Sequence, residues 1–374
     1  MEDNVLSFDN ASTKEVKRSK RQNIPIATSN PYDARTSPAD ILQFLPPDGT
    51  MFGLYSDPYA RMAYYMPKNG NGSARYWLES RLQEHSFTEN ELKLISFLSE
   101  HRCASKAQIT KAIFTEKDNA YKIRDFLQKC HNRGIISAFS WLSPCDNGRK
   151  KPLIYGLTHI GAEAAEYLFQ KKLPKDFKFQ AVQFPPGLGP SMKTFYHYLV
   201  ANELYCHLVA ADRIVKWEKE PRIHLSDQSY FKPHFVAEVI KDAGELKTLW
   251  IEVVRIEEGW YENTIKRFIY MQNALLKLPK ELLPSRIFMI ADCDSRIPIL
   301  NALAEEYVPD GVIRFTTDER LAGDWNEQTF VLCGPDGELL GSPIPFLFKD
   351  SPGMTASEYL AQQTIQFDDE FEDF

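Results

Sequence analysis

Residues 119–141 read NAYKIRDFLQKCHNRGIISAFSW, and this stretch decides the fold of the middle of the chain. Its apolar side chains recur at helical spacing: Ile123, Phe126, Leu127 and Cys130. They predict one buried face of a helix over roughly 119–132. Gly134 stands where a glycine commonly ends a helix, and the apolar run 135–141 predicts the strand that follows.

Two further helices are predicted before this one, because two capping boxes precede it. Thr88-Glu-Asn-Glu91 introduces an apolar helical face, and Ser105-Lys-Ala-Gln108 introduces a shorter helix. After the strand, the polar turn SPCDNGRKK (143–151) leads to a returning strand at 153–157. Thr158 is then placed to cap a last helix over 161–169.

Three helices followed by a hairpin with a basic tip are typical of a winged helix-turn-helix, in which the third helix enters the major groove. Its outward side chains and the tip of the wing could reach base edges and phosphates. The predicted DNA-binding residues are Lys122, Arg124, Gln128, Lys129, Asn132, Arg149, Lys150 and Lys151. The alternative is a winged helix that contacts only other proteins.

The composition excludes several classes of protein. With 374 residues, 43% hydrophobic and 25% charged, the chain has the balance of a globular protein of about two domains. No apolar run approaches the ~20 residues of a membrane-spanning helix, and the start MEDNVLSFDN lacks the apolar core of a signal peptide. The six cysteines are scattered without a CxxC pair, which argues against a zinc cluster. We therefore expect a cytoplasmic protein with no membrane partner.

The net charge of −7 is unevenly distributed along the chain. Residues 101–160 contain eleven Lys and Arg against four Asp and Glu, whereas residues 351–374 contain six acids and no Lys or Arg. A basic middle with an acidic tail is the asymmetry expected of a nucleic-acid-binding protein, although a solvated charged face would give the same counts.

Both ends of the chain carry features that could bind a partner. The polar residues 1–50 include the basic run KRSKR (17–21), and residues 51–80 are rich in aromatic side chains. The tail FDDEFEDF (367–374) alternates acids with aromatics and resembles the acidic tips that single-stranded-DNA-binding proteins offer to partners. It could dock on a partner protein, fold back onto the basic groove, or only keep the chain in solution.

The second half of the chain predicts an α/β layer, because helical and strand patterns alternate. The helices are expected at 192–211, 261–278 and 297–306. The strands are expected at 214–217, 222–225, 235–240, 249–254, 286–291 and 311–315, with an edge hairpin at 330–340. The fold class is therefore α/β (α+β), with the winged helix first. The predicted organisation is a flexible and aromatic region at 1–80, the winged helix at 81–172, an α/β domain at 190–348 and an acidic tail at 349–374.

Two of these strands carry residues that a metal-dependent nuclease would need. They are KPHFVAE (232–238) and WIEVVR (250–255), and Glu252 lies within the apolar part of the second. A carboxylate buried in a strand is costly unless it holds a metal ion or pairs with a cation. A metal site and a buried ion pair with an Arg or Lys both stay open.

Several segments between residues 86 and 275 together carry a resemblance to a known family. They are LTHIGAEAAEYL (157–168), FYHYLVANELY (195–205), the strand at Trp217 with Glu220, KPHF (232–235), IEVVR (251–255) and the helix with Lys266, Phe268 and Tyr270. In these segments the chain resembles the replication-relaxation family of plasmids and conjugative elements, which includes proteins labelled as mobilisation relaxosome components. The resemblance implies a winged helix joined to a degenerate domain similar to the restriction-endonuclease fold. It also implies relaxosome or replication proteins as the partners of the acidic tail.

The departures from the family pattern favour an inactive nuclease-like domain. Where the family tends to have Pro-Asp this chain has Pro233-His234, and where the family has Glu-x-Asp this chain has Glu252-Val253-Val254. One carboxylate and one histidine form a poor Mg²⁺ site, since Mg²⁺ prefers oxygen ligands. We therefore expect no cofactor.

The sequence thus predicts a DNA-binding protein of a plasmid or mobile element, acting on double-stranded DNA in mobilisation or replication. One alternative is a metal-dependent relaxase or nicking endonuclease that needs Mg²⁺ or Mn²⁺. Its candidate residues are Glu252, His234 and Glu203, with Glu218 assisting and Tyr196, Tyr198 or Tyr261 as nucleophile. The other alternative is a protein–protein adaptor that uses the aromatic segment 51–80 and the acidic tail.

Overall fold

The computed structural model describes residues 52–65, 73–115, 117–142, 151–179, 184–185 and 188–363. Four predicted features lie outside these residues: the basic run 17–21, Arg149, Lys150 and the acidic tail 367–374. The chain divides into two compact units. Of the described residues, 57–202 form the first unit, and 52–56 together with 203–363 form the second.

Side-chain caps begin four of the five helices described first in the chain. These helices of the first unit are α1 (Ala74–Gln83), α2 (Glu89–His101), α3 (Lys106–Ile113), α4 (Ala120–Asn132) and α5 (His159–Leu168), α1 being the exception. At the start of α2, the Glu91 N–H donates to Thr88 Oγ1 at 3.3 Å, and the Thr88 N–H donates to Glu91 Oε2 at 2.9 Å. The corresponding box of Ser105 and Gln108 begins α3. Both predicted capping boxes are therefore present.

A four-stranded antiparallel sheet completes the first unit. Its strands are β1 (Arg61–Tyr65), β2 (Cys103–Ser105), β3 (Ile136–Leu142) and β4 (Ile154–Leu157), in the order β1-β3-β4-β2. The helices pack their apolar faces in a common core that contains Leu94, Ile109, Leu127 and Phe139, each at most 1% exposed. The spacing of apolar residues along the helices thus places one face of each helix inside.

The helix α6 (Lys193–Ala210) contains the point at which the chain divides into its two units, between Asn202 and Glu203. Within the first unit, Asn202 is buried and contacts both backbone and side-chain groups of residues 101–103. Its Nδ2 donates to the Cys103 carbonyl at 2.8 Å, and its Oδ1 lies 2.9 Å from Nδ1 of His101. Burial lowers the pKa of His101 to about 4.

The second unit is built on a seven-stranded sheet and a small hairpin. The strands are β5 (Ile214–Lys219), β6 (Ile223–His224), β7 (Tyr230–Phe231), β8 (Phe235–Ile240), β9 (Leu246–Val253), β10 (Arg286–Ala291), β11 (Ile313–Thr317), β12 (Val331–Cys333) and β13 (Leu339–Gly341). The sheet has the order β13-β12-β11-β10-β9-β8-β5, and β6 pairs with β7 separately. Neighbours β9, β10 and β11 are parallel, and the other pairs are antiparallel.

Helices connect the parallel strands of this sheet, as parallel pairing requires. The helix α7 (Trp260–Lys277) links β9 to β10, α8 (Ile297–Tyr307) links β10 to β11, and the short α9 (Asp318–Ala322) follows β11. The central strands are buried on both faces, with Trp250, Phe288 and Phe315 at most 1% exposed. Each predicted helix of this half begins and ends within two residues of its expected position.

The structure confirms the predicted α/β class, and it adds elements that the sequence did not indicate. Within 51–80, the described residues form β1 and α1, so the aromatic segment includes regular structure. The short strand β2 lies between the first two predicted helices. The strand expected at 222–225 is shorter, since only Ile223–His224 pairs, with β7.

Candidate functional site

The outward face of α4 is the first candidate site. Asn119 caps the helix by accepting a hydrogen bond from the Tyr121 N–H at 2.8 Å. Because Ile123, Leu127 and Cys130 are buried, the opposite side chains are directed to solvent. Five of these are exposed polar groups: Lys122, Arg124, Asp125, Gln128 and Lys129.

The contacts of these side chains run along the helix itself. Arg124 Nη2 lies 3.4 Å from Asp125 Oδ1, and its guanidinium lies 5.2 Å from the ring centre of Tyr121, which is 68% exposed. Gln128 Nε2 donates to Asn132 Oδ1 at 2.8 Å, and Asn132 is half-buried. Exposed contacts of this kind contribute about 0–1 kcal/mol, so a phosphate or a base edge can replace them.

The hairpin of β3 and β4 follows α4 in the chain. Of the three predicted basic residues at its tip, Lys151 is described and half-buried, whereas Arg149 and Lys150 lie outside the described residues. Phe139 pairs with Ile154 at the end of this hairpin that the structure describes.

Glu252 is the second candidate, and it lies 1% exposed near the carboxyl end of β9. Arg267 of α7 reaches it with two hydrogen bonds, from Nη2 to Oε1 at 2.7 Å and from Nε to Oε2 at 2.8 Å. Such a bidentate contact is the strongest form of the ion pair. Arg267 also donates to the Lys232 carbonyl, and its guanidinium lies 4.7 Å from the ring centre of Phe231.

His234 is brought against the same carboxylate by the pairing of β8 with β9, in which Phe235 lies opposite Ile251. Its Nδ1 lies 3.0 Å from Glu252 Oε2 and 3.0 Å from the amide nitrogen of Val253. These two contacts are alternatives for one ring nitrogen, because a neutral Nδ1 accepts from the amide and a protonated Nδ1 donates to the carboxylate. Burial alone would raise the pKa of Glu252, but His234 and Arg267 together hold this pKa below its ordinary value.

The remaining candidates for catalysis lie in other surroundings. Glu203 is buried and accepts a hydrogen bond from the Tyr55 hydroxyl at 3.1 Å. Tyr196 and Tyr198 are buried in the first unit, Tyr196 against Trp141 and Tyr198 beneath the guanidinium of Arg102.

Two further candidates lie nearer the surface of the second unit. Tyr261 is half-buried beside Trp260, and Glu218 lies 3.2 Å from Nζ of Lys216. Among the described residues, no group of three or more His, Cys, Asp or Glu side chains could hold a metal ion.

The residue that sequence analysis missed at this site is Arg267. It lies seven residues after Trp260 and three after Thr264, both buried, so helical spacing directs it towards the sheet. That spacing was a usable signal for a cation facing the sheet. The sequence did not show, however, which cation would contact Glu252, because Arg255 and Lys266 are also close to Glu252 or Arg267 in the chain.

The structure therefore defines an α/β protein with an exposed cationic helix in one unit and an internally neutralised carboxylate in the other. The family model described as replication-relaxation matches residues 95–252, which include α4, His234 and Glu252. This match confirms the resemblance predicted from the sequence and supports a role in replication or relaxation of a plasmid or other mobile element. Neither a curated protein nor a solved structure matched the chain. Across the described residues, every helix is too short or too polar to cross a bilayer.

Proposed function

We propose that this chain binds double-stranded DNA through a winged helix in its first unit, and that its second unit is a nuclease-like scaffold without nuclease activity. The observation that carries the proposal is the exposed face of α4, where three cations and one amide stand on a helix of thirteen residues. A helix of this kind fits the major groove of B-DNA.

The order and pairing of the elements support the winged helix. The chain runs α2, β2, α3, α4, β3 and β4, and β4 pairs with both β2 and β3. These strands belong to one small sheet, and the hairpin that would be the wing follows directly after the helix that would enter the groove. This order of elements is what a winged helix requires, and it therefore supports the proposal.

The charges of α4 support DNA rather than a protein as the partner. Lys122, Arg124 and Lys129 are exposed, and Asp125 is the one acid on the same helix. Each cation that neutralises a phosphate releases counterions, which makes binding strong at low salt and weak at high salt. The amide of Gln128 can pair with an adenine edge, which would add preference for a sequence.

The contacts of Glu252 support the absence of nuclease activity. A divalent cation would have to displace the guanidinium of Arg267, which already makes two short hydrogen bonds to both carboxylate oxygens. The neighbouring position offers the imidazole of His234 in place of a second carboxylate. Mg²⁺ keeps oxygen ligands in near-ideal octahedral geometry, so this pair of side chains fits it poorly.

DNA binding is tested by fluorescence anisotropy with labelled duplexes over a range of salt concentrations. We expect the double variant Arg124→Ala/Lys129→Ala to bind more weakly, and its plot of log affinity against log salt to lose about 0.9 in slope per lost phosphate contact. The control is Lys175→Ala, which removes an exposed lysine of the same unit outside α4. Equal affinity and slope in the double variant and the control would refute the proposed interface.

The nuclease alternative is tested with supercoiled plasmid, Mg²⁺ or Mn²⁺, and a gel run before and after digestion of the protein. We expect plasmid that is retarded before digestion and intact after it. A nicked product that disappears in Glu252→Ala would instead show an active site at Glu252 and overturn the inactive assignment.

A further inference from the structure

The carboxyl ends of the parallel strands β9, β10 and β11 form a second cluster of charged side chains in the second unit. Arg255 lies two residues beyond β9, Asp292 directly follows β10, and Asp318 directly follows β11. All three are buried, and Asp318 is fully buried. The crevice beyond these strand ends is where open α/β sheets bind their ligands.

This crevice is occupied by the chain's own residues 52–56, which precede the first unit in the sequence. The Tyr55 N–H donates to Asp318 Oδ2 at 2.7 Å, and the Gly53 N–H approaches Asp292 Oδ2 at 3.4 Å. The Tyr55 hydroxyl donates to Glu203 Oε1 at 3.1 Å. The backbone amides of Gly53 and Tyr55 and the hydroxyl of Tyr55 thus each contact a different carboxyl group.

The segment 52–56 packs so closely against the strand ends that position 53 requires a glycine. A Cβ atom on Gly53 would lie 1.9 Å from the Asp292 carbonyl oxygen and 2.9 Å from Asp318 Oδ2. The nearer obstacle is backbone, which cannot turn away as a side chain can. Any residue with a side chain at position 53 would therefore have to leave the crevice.

The carboxyl groups of the crevice are also held from the opposite side. Arg255 Nη2 donates to Asp318 Oδ1 at 2.8 Å, and Arg296 Nε lies 3.2 Å from Asp292 Oδ1. Burial raises the pKa of Asp318 to about 8, with Arg255 opposing the shift. The crevice is thus a preorganised, water-excluded acceptor for backbone N–H groups.

We propose that this crevice is a peptide-binding site whose resident ligand is the chain's own Gly-x-Tyr segment at 53–55. The site recognises an extended peptide by two backbone N–H groups, a glycine and a phenol. The chain's own segment occupies it as a strap.

The test uses full-length protein and a fluorescently labelled peptide of residues 50–58, TMFGLYSDP. The Gly53→Val protein should expel its own segment and bind this peptide, and wild type should bind it at least tenfold more weakly because its site is filled. A peptide with Gly53→Ala should not bind. The Tyr55→Phe peptide should bind about tenfold more weakly, because it leaves Glu203 without the phenol.

The matched control peptide carries Leu54→Ala, since Leu54 is half-buried between the two recognised residues, and its affinity should stay within about threefold. Circular dichroism establishes whether the Gly53→Val protein is folded. If it is folded and binds no peptide, or binds the Gly53→Ala peptide equally well, the proposal is wrong.

A second variant keeps the test decisive if Gly53→Val does not fold. Tyr55→Ala weakens the strap without a clash, so that protein should bind the wild-type peptide more tightly than wild-type protein does. In wild type, the Tyr55 amide should exchange its hydrogen at least a hundredfold more slowly than in the free peptide. Exchange as fast as in the free peptide would overturn the proposal.

Discussion

Replacing Arg267 by alanine is the sharpest test of the physical account of Glu252. In wild type, both carboxylate oxygens of Glu252 accept hydrogen bonds from the Arg267 guanidinium, at 2.7 and 2.8 Å. Glu252 is 1% exposed, so water cannot replace the guanidinium without a change in structure. The variant therefore leaves a carboxylate in the interior with only His234 beside it.

The expected cost is about 3 kcal/mol in the free energy of unfolding of the second unit, the lower end of the range for breaking a buried ion pair. Two features place it there. The Arg267 side chain is 25% exposed, and the imidazole of His234 remains 3.0 Å from the same carboxylate. The lost stacking on Phe231 adds about 0.5–1 kcal/mol.

The cost should depend on pH in a defined direction. In wild type the pKa of Glu252 is lowered, so its stabilising contribution is present above the unfolded-state pKa and is lost as the pH falls through the folded-state pKa. Without Arg267, only His234 opposes the effect of burial, so the pKa of Glu252 in the folded variant rises relative to wild type. The destabilisation by Arg267→Ala should thus be largest near neutral pH and shrink towards about pH 4, close to the ordinary pKa of a glutamate, as the carboxylate of the variant takes up its proton.

The free energy of unfolding of the second unit can be measured by hydrogen exchange with mass spectrometry in increasing urea. Peptides from β9 and α7 report on this unit separately from the first. Lys266→Ala is the matched control, because it removes an exposed lysine of the same helix and should change stability by no more than about 0.5 kcal/mol. A cost below about 1 kcal/mol for Arg267→Ala, equal at both pH values, would refute the buried ion pair as the reason for the arrangement.

The first unit gives two further predictions. Gly161→Ala should destabilise it by about 1–3 kcal/mol, because the new Cβ would lie 2.1 Å from the Ile135 carbonyl oxygen. Urea unfolding measures this change, and Tyr167→Ala is the near-neutral control, since Tyr167 lies on the same helix and is 61% exposed. The pKa of about 4 for buried His101, against 6.5 for the free side chain, means that the unfolded state binds the proton more tightly between these values. The stability of this unit should therefore fall as the pH drops from 6.5 to 4, and hydrogen exchange of α2 peptides should show a smaller fall in His101→Gln.

Much of the first unit could be predicted because its decisive signals are local. A capping box needs only residues three apart, and the boxes at Thr88 and Ser105 both form as the sequence indicated. Gly134 has a positive φ of 75°, as expected for the residue that ends α4. The period of the apolar residues in α4 likewise fixed which side chains are exposed, which is why the candidate DNA-binding face could be named in advance.

The missed elements depend on partners far away in the chain. The strand β1 exists through its pairing with β3, whose residues lie more than seventy positions later, from Arg61 to Leu142. The strand β2 has three residues, too few to show an alternating pattern, and it exists through its pairing with β4. Neither strand has a local signature that distinguishes it from a loop.

The Glu252 cluster shows why a candidate site is harder to predict than a helix face. The sequence correctly indicated that a carboxylate in an apolar strand needs a metal ion or a cation, and the structure shows Arg267 in contact with it. To choose between a metal ion and a protein cation, one needs to know where α7 packs on the sheet, and no local sequence pattern gives that position. Because the guanidinium already neutralises the carboxylate, a change at His234 alone would not create a metal site; Arg267 would also have to be removed. A metal ion at Glu252 and the ion pair with Arg267 therefore exclude one another, so the stability test of Arg267 bears directly on the proposed absence of nuclease activity.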